Sequence, residues 1–411
     1  LRGSCYYSTT PPVIYTLPPV LISSSLSKSD KLTEETAEEV NEWLADQQAL
    51  DSAYPIAQRD ARKNLVVIFC ESLESWLIGA KADGDKTLTP YINSLIADSA
   101  TLYFPHVLSQ VGSGRSIDAQ LLMLAGMMPL QETVWSMRYP GHTYPSIPKA
   151  MHRRDSAARA VLLTADKPIT WNQSLVAKAF EVDTMLSRDD WEMTEMVGSP
   201  AKLSDGAFLS QSVDKLKDGL WPEGTPAYLH FVTYSGHSPF RLQKKLRGID
   251  ISGKYPERMR DYMTMANYTD RSLQPLIDYL KSRSDWDDTM VVIVGDHEAL
   301  GSDRAAWLKQ EAASEILSPN MEVPLIILNS PIAGKIDKKI GQIDVYSTII
   351  DLMGLRQDAW PGMGISAFSP MHASPDTGGE HQRKAREISA DIIKYDLLKD
   401  KREENSDTIK K

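Results

Sequence analysis

Cysteine is scarce in this chain of 411 residues: Cys5 and Cys70 are the whole complement. Two cysteines make no disulfide framework, so a small stapled secreted fold is excluded. Cys70 ends an apolar run, and both thiols read as free. Long hydrophobic runs are missing as well. No stretch of about 18 apolar residues occurs, so no segment of this sequence is long enough to cross a bilayer as a helix. Basic stripes are absent too. Lys and Arg number 45 against 55 Asp and Glu, a net charge of −10. Without a Lys/Arg-rich face interleaved with aromatics, the chain does not read as a nucleic-acid binder. No internal repeat is present.

What is present is an ordinary globular composition, 42% hydrophobic and 24% charged. That suits one large α/β domain with appendages, or two to three smaller units. Residues 1 to about 30 are rich in Ser, Thr and Pro and read as an extended connector. Residues 32–50 read as an amphipathic helix opened by Thr33-Glu34-Glu35, acids placed where the helix dipole favours them. Buried strands are expected at Asn64–Cys70, Ala157–Leu163, Tyr228–Thr233, Met290–Val294 and Val323–Leu328. Helices are expected from Pro90 to Ala100, over 116–128, near 172–180, over 257–283 and from Asp344 to Met353. This alternation predicts an α/β fold, a sheet with helices on both faces. Beyond about Pro370 the chain turns polar, a peripheral module or a tail. The division follows: 1–60 connector and helix, 61–370 main domain, 371–411 polar C-terminal segment.

Polar clusters follow several of the strands, at the sheet edge where α/β folds bind ligands. Glu71 directly follows NLVVIFC, either as a metal ligand or as an acid at a helix start. In Gly112-Ser113-Gly114-Arg115-Ser116, Ser116 is a nucleophile served by a helix N-terminus, or simply its cap. Arg115 is placed to pair with an anion. VVIVGDH puts Asp296 and His297 at a strand end, and carboxylate beside imidazole suits a divalent cation. His237, in TYSGHSPF, is a substrate binder, a proton donor or a structural histidine. Together, three oxygen donors and one imidazole around a divalent ion would activate a serine for attack on a phosphoryl or sulfuryl group.

CESLESW (70–76), GSGRSIDAQLLMLAGMMPL (112–130), TWNQSLVAKAF (170–180), SGHSPF (235–240), VIVGDHEALG (292–301) and VPLIILNS with GQIDVYSTIIDLMG (323–354) stand in one order. That order resembles the lipoteichoic acid synthases and related phosphoglycerol transferases of the sulfatase/alkaline phosphatase superfamily. The resemblance implies a sulfatase-like α/β domain with a central sheet and a smaller C-terminal subdomain. It carries the metal ligands onto Glu71, Ser116, Asp296 and His297, with Ser116 where a threonine nucleophile is usual. It carries substrate-binding roles onto His237, Asp166 and Trp171. At Gln173 the family has a phosphate-pairing Arg, and glutamine lacks both charge and fork. Mn²⁺ is the implied ion, although the ligand types suit Mg²⁺ and Zn²⁺ equally.

The implied function is a metal-dependent transferase with a covalent Ser116 phosphoester. It would move a headgroup from a phospholipid to a glycan or glycolipid, on the extracytoplasmic face of a bacterial membrane. Leu1 in place of Met leaves room for a signal peptide or membrane helices before this sequence. The alternative is a phosphodiesterase or sulfatase-like hydrolase. Ser116 is followed by Ile117-Asp118-Ala119-Gln120, which lacks the x-Pro-x-Arg that classical sulfatases use to make formylglycine. A phosphoethanolamine transferase is disfavoured by the two cysteines. An inactive binding domain is disfavoured by the intact ligand set.

Overall fold

The computed structural model describes residues 32–52, 62–301, 303–375 and 379–399, with side chains of the first segment described only to residue 47. The connector expected over the first 30 residues, Cys5 and the Lys-rich end lie outside these residues.

Nine strands among the described residues form one sheet: β1 Asn64–Cys70, β2 Leu102–Leu108, β3 Arg159–Thr164, β4 Thr184–Leu186, β5 Ala227–Val232, β6 Thr289–Gly295, β7 Glu322–Leu328, β8 Gly334–Lys335 and β9 Ile340–Gly341. Their order is β8-β2-β7-β6-β1-β5-β3-β4, with β9 also pairing β2. From β6 through β1, β5 and β3 to β4 the pairing is parallel. β7 is antiparallel to both β6 and β2, so the sheet is mixed. Every residue of β1, β6 and β7 is buried, as expected of strands covered on both faces. Alternate residues serve the two cores. Val66, Ile68 and Cys70 of β1 face one, and Leu65, Val67 and Phe69 the other.

The helices divide in the same way. α1 is Glu34–Ser52, α2 Pro90–Ile96, α3 Ser116–Ala125, α4 Gln173–Ala179, α5 Asp205–Lys215, α6 Glu257–Ser272, α7 Gln274–Ser282, α8 Gln342–Leu352 and α9 Glu380–Tyr395. α5, α6 and α7 pack on the first core through Phe208, Leu209, Met259, Met263 and Ile277. α3, α8 and α9 pack on the second through Leu121, Leu124, Ile349, Ile388 and Ile392. The polar C-terminal stretch thus contains a helix with one buried face, and it also packs against α1.

Two elements depart from the sequence expectations. LYFPHVL forms β2, although its proline argues against a strand inside a sheet. The β7 pairing slips between Val323 and Leu325, opposite this stretch, and such a bulge accommodates a residue without an N–H. The long helix expected over 257–283 is two helices. α6 ends at Ser272, and Pro275 sits in the first turn of α7, where a missing N–H costs nothing.

Candidate active site

β1, β5 and β6 run side by side and end at one edge of the sheet. The residues just past those ends therefore meet. Glu71 follows β1, Thr233 follows β5, and Asp296 and His297 follow β6. α3 brings the fourth group, because Ser116 is its first residue. Glu71, Asp296 and His297 are buried, and each offers a ligand atom within 4.8 Å of the others. Ser116 Oγ lies 3.2 Å from Glu71 Oε2 and 3.2 Å from His297 Nε2. His297 Nε2 is 3.4 Å from Glu71 Oε1 and 3.5 Å from Asp296 Oδ2.

The surroundings orient each of these atoms. His297 Nδ1 lies 2.9 Å from the Glu298 carbonyl and 3.0 Å from Arg115 Nη2, which orients the ring so that Nε2 faces the cluster. Asp296 Oδ1 accepts from the N–H groups of Ser72 at 2.6 Å and His297 at 2.9 Å, which leaves Oδ2 for the cluster. Ser72, with a φ of 56°, takes the left-handed conformation that non-glycine residues rarely adopt. That turn also lets its hydroxyl donate to Glu71 Oε1 at 2.6 Å. Behind them, Glu74 accepts from the Ala299 N–H at 2.7 Å and pairs with Arg304, tying the segment after β1 to the segment after β6.

The nucleophile turn is set from within. Asp118 Oδ2 accepts from the N–H groups of Gly112 and Gly114, both at 2.9 Å. A Cβ on Gly114 would stand 2.3 Å from Asp118 Oδ1, so only glycine fits there.

Burial, then the Glu71 charge, pushes the Asp296 carboxyl up to about 6. Burial disfavours protonated His297, but Asp296 and Glu71 outweigh it and raise its pKa. A nitrogen lone pair and carboxylate oxygens facing one another in a buried site are the donor set of a divalent ion. Glu71, Ser116, Asp296 and His297 therefore fit a metal.

A cavity of about 430 Å³ opens from this cluster. All the predicted residues except Asp296 line it: Glu71, Arg115, Ser116, Asp166, Trp171, Gln173, His237 and His297. Their contacts differ from one another. Trp171 and Asn172, with φ of 54° and 53°, form a left-handed turn at the cavity, held where Asn172 Nδ2 donates to the Ser136 carbonyl at 3.0 Å. His237 stacks on Tyr234 and has its Nδ1 2.6 Å from the Ser238 carbonyl, so Nε2 carries the exchangeable site. Arg115 pairs with Glu298 Oε1 at 2.5 Å. Gln173 and Gln120 exchange two amide hydrogen bonds of 2.9 and 3.0 Å. Sequence reasoning passed over Gln120, Thr233, Tyr234 and Lys202. Thr233 and Tyr234 follow a predicted strand and so carried a positional signal. Lys202 carried none.

The fold is an alkaline phosphatase/sulfatase-like sheet, with the Glu71, Ser116, Asp296 and His297 cluster at the edge where its parallel strands end. The family model described as Sulfatase matches residues 63–355, and the chain belongs to that family. Within the superfamily it is lipoteichoic acid synthase-like. Lipoteichoic acid synthase 1 of Bacillus subtilis (strain 168) is 27% identical over 316 residues, covering 75% of this chain and 48% of the relative. Lipoteichoic acid synthase of Staphylococcus aureus (strain USA300) is 26% identical over 322 residues, 76% of this chain and 48% of the relative. The chain spans about half the length of these curated relatives. Among solved structures, the lipoteichoic acid synthase LtaP from Listeria monocytogenes superposes with a TM-score of 0.67 at 18% identity, over 86% of this chain and 97% of that one. The Streptococcus pyogenes phosphoglycerol transferase GacH, solved with sn-glycerol-1-phosphate, gives 0.60 at 14% identity, over 90% and 97%. At these identities the structures establish the shared fold.

Proposed function

We propose that residues 61–370 form the catalytic domain of a metal-dependent transferase that moves a phosphoglycerol-type headgroup from a phospholipid to a glycan or glycolipid. The observation that carries this reading is Ser116 Oγ at 3.2 Å from both a buried carboxylate and a buried imidazole, at the N-terminus of α3. A divalent ion held by Glu71, Ser116, Asp296 and His297, Mn²⁺ in this reading, lowers the pKa of the serine hydroxyl and withdraws charge from the phosphoryl oxygens.

The chain's own residues do the rest. Ser116 gives its proton toward Glu71 Oε2, which already accepts its hydrogen bond. Ser116 Oγ then bonds to phosphorus, and the bond from phosphorus to the lipid alcohol oxygen breaks. His237 Nε2 protonates that leaving oxygen. In the second half, the same nitrogen takes the proton of the acceptor hydroxyl, whose oxygen bonds to phosphorus as the bond from phosphorus to Ser116 Oγ breaks and Ser116 takes its proton back from Glu71 Oε2. Trp171, at the turn, covers the headgroup. The acceptor side faces the outside of the cell in this reading. Among the described residues no helix is long and apolar enough to cross a membrane.

The test is intact-mass spectrometry of the Mn²⁺-loaded protein after incubation with phosphatidylglycerol. A glycerophosphate adduct that maps to Ser116 and vanishes in Ser116→Ala is the expected result, with turnover down by at least about 1000-fold. Turnover without any adduct, in a variant that keeps its activity, would sink the serine ester.

A further inference from the structure

We infer that Lys202 is the residue that binds the substrate's phosphate oxyanion in this cavity, in place of a cation at position 173. This rests on the transferase reading above and names the group that reads the substrate's charge.

Gln173 is out of the running by geometry. It is 7% exposed, and its side-chain oxygen and nitrogen both bond Gln120, itself 3% exposed on α3. That reciprocal pair pins α4 onto α3 and leaves the amide with no charge and little freedom to give a ligand. Two permanent cations line the cavity, Arg115 and Lys202. Arg115 is turned onto Glu298, with Nη1 donating to the carboxylate and Nη2 to the carbonyl, both at 2.5 Å, and with Nη2 3.0 Å from His297 Nδ1.

Lys202 is differently placed. It lies on a short hairpin of Met196–Val197 and Lys202–Leu203, far in sequence from every motif of the site. Gly198 makes the turn, and a Cβ there would stand 2.8 Å from the Tyr234 ring, so the hairpin lies directly on Tyr234. The Lys202 side chain is 16% exposed. Its ammonium sits 4.0 Å from the centre of the Tyr234 ring, and Asp166 Oδ2 takes one of its three donors at 2.6 Å. No other protein acceptor bonds it among the described residues. A partly desolvated ammonium, held in position and with donors left over, is an oxyanion site.

Asp166 then becomes intelligible as a positioning residue. Its Oδ2 fixes Lys202, and its Oδ1 accepts from Thr170 Oγ1 at 3.2 Å, beside the Trp171 turn. One carboxylate sets both the charged and the aromatic contacts of the cavity. The ligand class is a phosphate ester or diester whose unbridged oxygen faces a point charge. A guanidinium fork would hold two oxygens and a fixed plane; an ammonium tolerates a rotated headgroup.

The experiment uses the full chain loaded with Mn²⁺ and two probes, sn-glycerol-1-phosphate and inorganic phosphate, titrated by calorimetry. Lys202→Gln is expected to weaken both by about tenfold to hundredfold, the worth of a charged hydrogen bond. Lys202→Arg is expected to restore most of that affinity. The rise in melting temperature on adding Mn²⁺ should be the same in all three proteins, showing an intact fold and metal centre. Lys202→Gln that binds both probes like the wild type overturns the assignment, as does a wild type that binds neither. Anion binding that depends on Lys202, in a protein that forms no Ser116 adduct, keeps the assignment and removes the transfer reading instead.

Discussion

At the floor of the cavity, Glu71 and Asp296 are 7% and 1% exposed and sit just past the ends of adjacent parallel strands. At its mouth, Trp171 is 36% exposed and His237 is exposed, each carried by a turn. The floor is fixed by the register of β1 against β6, where Cys70 pairs with Gly295. One residue further along each strand are the Glu71 and Asp296 carboxylates. Moving either would require the sheet to slip. The mouth is fixed by side chains instead: Asn172 to Ser136, Asp166 to Lys202 and Thr170. In the proposed transferase the floor would carry the chemical step and the mouth would choose the substrate.

Losing the ion is the severest way to break this contrast. Asp296→Asn removes a ligand charge, and chelation removes the ion itself. Both are expected to cut turnover by at least about 1000-fold, read by adduct formation and a phosphodiester assay. Mn²⁺ should restore the chelated wild type alone. In the wild type, excess ion at about 100 times its dissociation constant should add about 2.7 kcal/mol of stability.

Acidity sharpens the same contrast. In the metal-free protein Asp296 is raised to about 6 by burial and then by Glu71, and His297 is raised by the two carboxylates against its burial. The folded state therefore binds more protons than the unfolded chain. Its stability from these groups is present at low pH and is lost as pH climbs through the folded pKa values, from about 4 to above 6.5. In the proposed metal site an ion would replace those protons. The gain in melting temperature on adding Mn²⁺ should thus be small near pH 5 and grow toward pH 7.5. A gain that is flat with pH would contradict the cluster as the binding site.

The smallest effect is expected at the mouth. Trp171→Ala should raise KM about tenfold while kcat and the metal-induced melting shift change little, the loss of one aromatic face from the headgroup. A fall in kcat with unchanged KM would place Trp171 in the floor's chemistry and dissolve the distinction.

Legibility in the sequence follows the same line. Glu71, Asp296 and His297 were readable as site candidates because each stands next to a strong strand signal: Glu71 after NLVVIFC, Asp296 and His297 after VVIVG. The strand β2 was not readable, because Pro105 denies the pattern and only the bulge in β2, where two of its residues stand opposite one of β7, makes room for it. The partners that decide the mouth were not readable either. Gln173 looked like a lost phosphate contact until Gln120 was found across from it, 53 residues away. Lys202 stands in a polar loop with no periodicity around it, 36 residues from the carboxylate that holds it.

The sequence by itself determined the alternation of strands and helices, the buried parallel centre of the sheet and the placing of Glu71, Asp296 and His297 just past its strand ends. Those follow from local rules, because apolar runs bury and a polar residue after a buried strand must lie at the sheet edge. Only the tertiary structure decided which charges are spent and which are free. Arg115 is paired with Glu298, Gln173 with Gln120, and Lys202 is held by a single carboxylate over an aromatic ring. The physical reason is that a side chain's availability depends on partners brought near by folding, and nothing in its own neighbourhood of the chain encodes them.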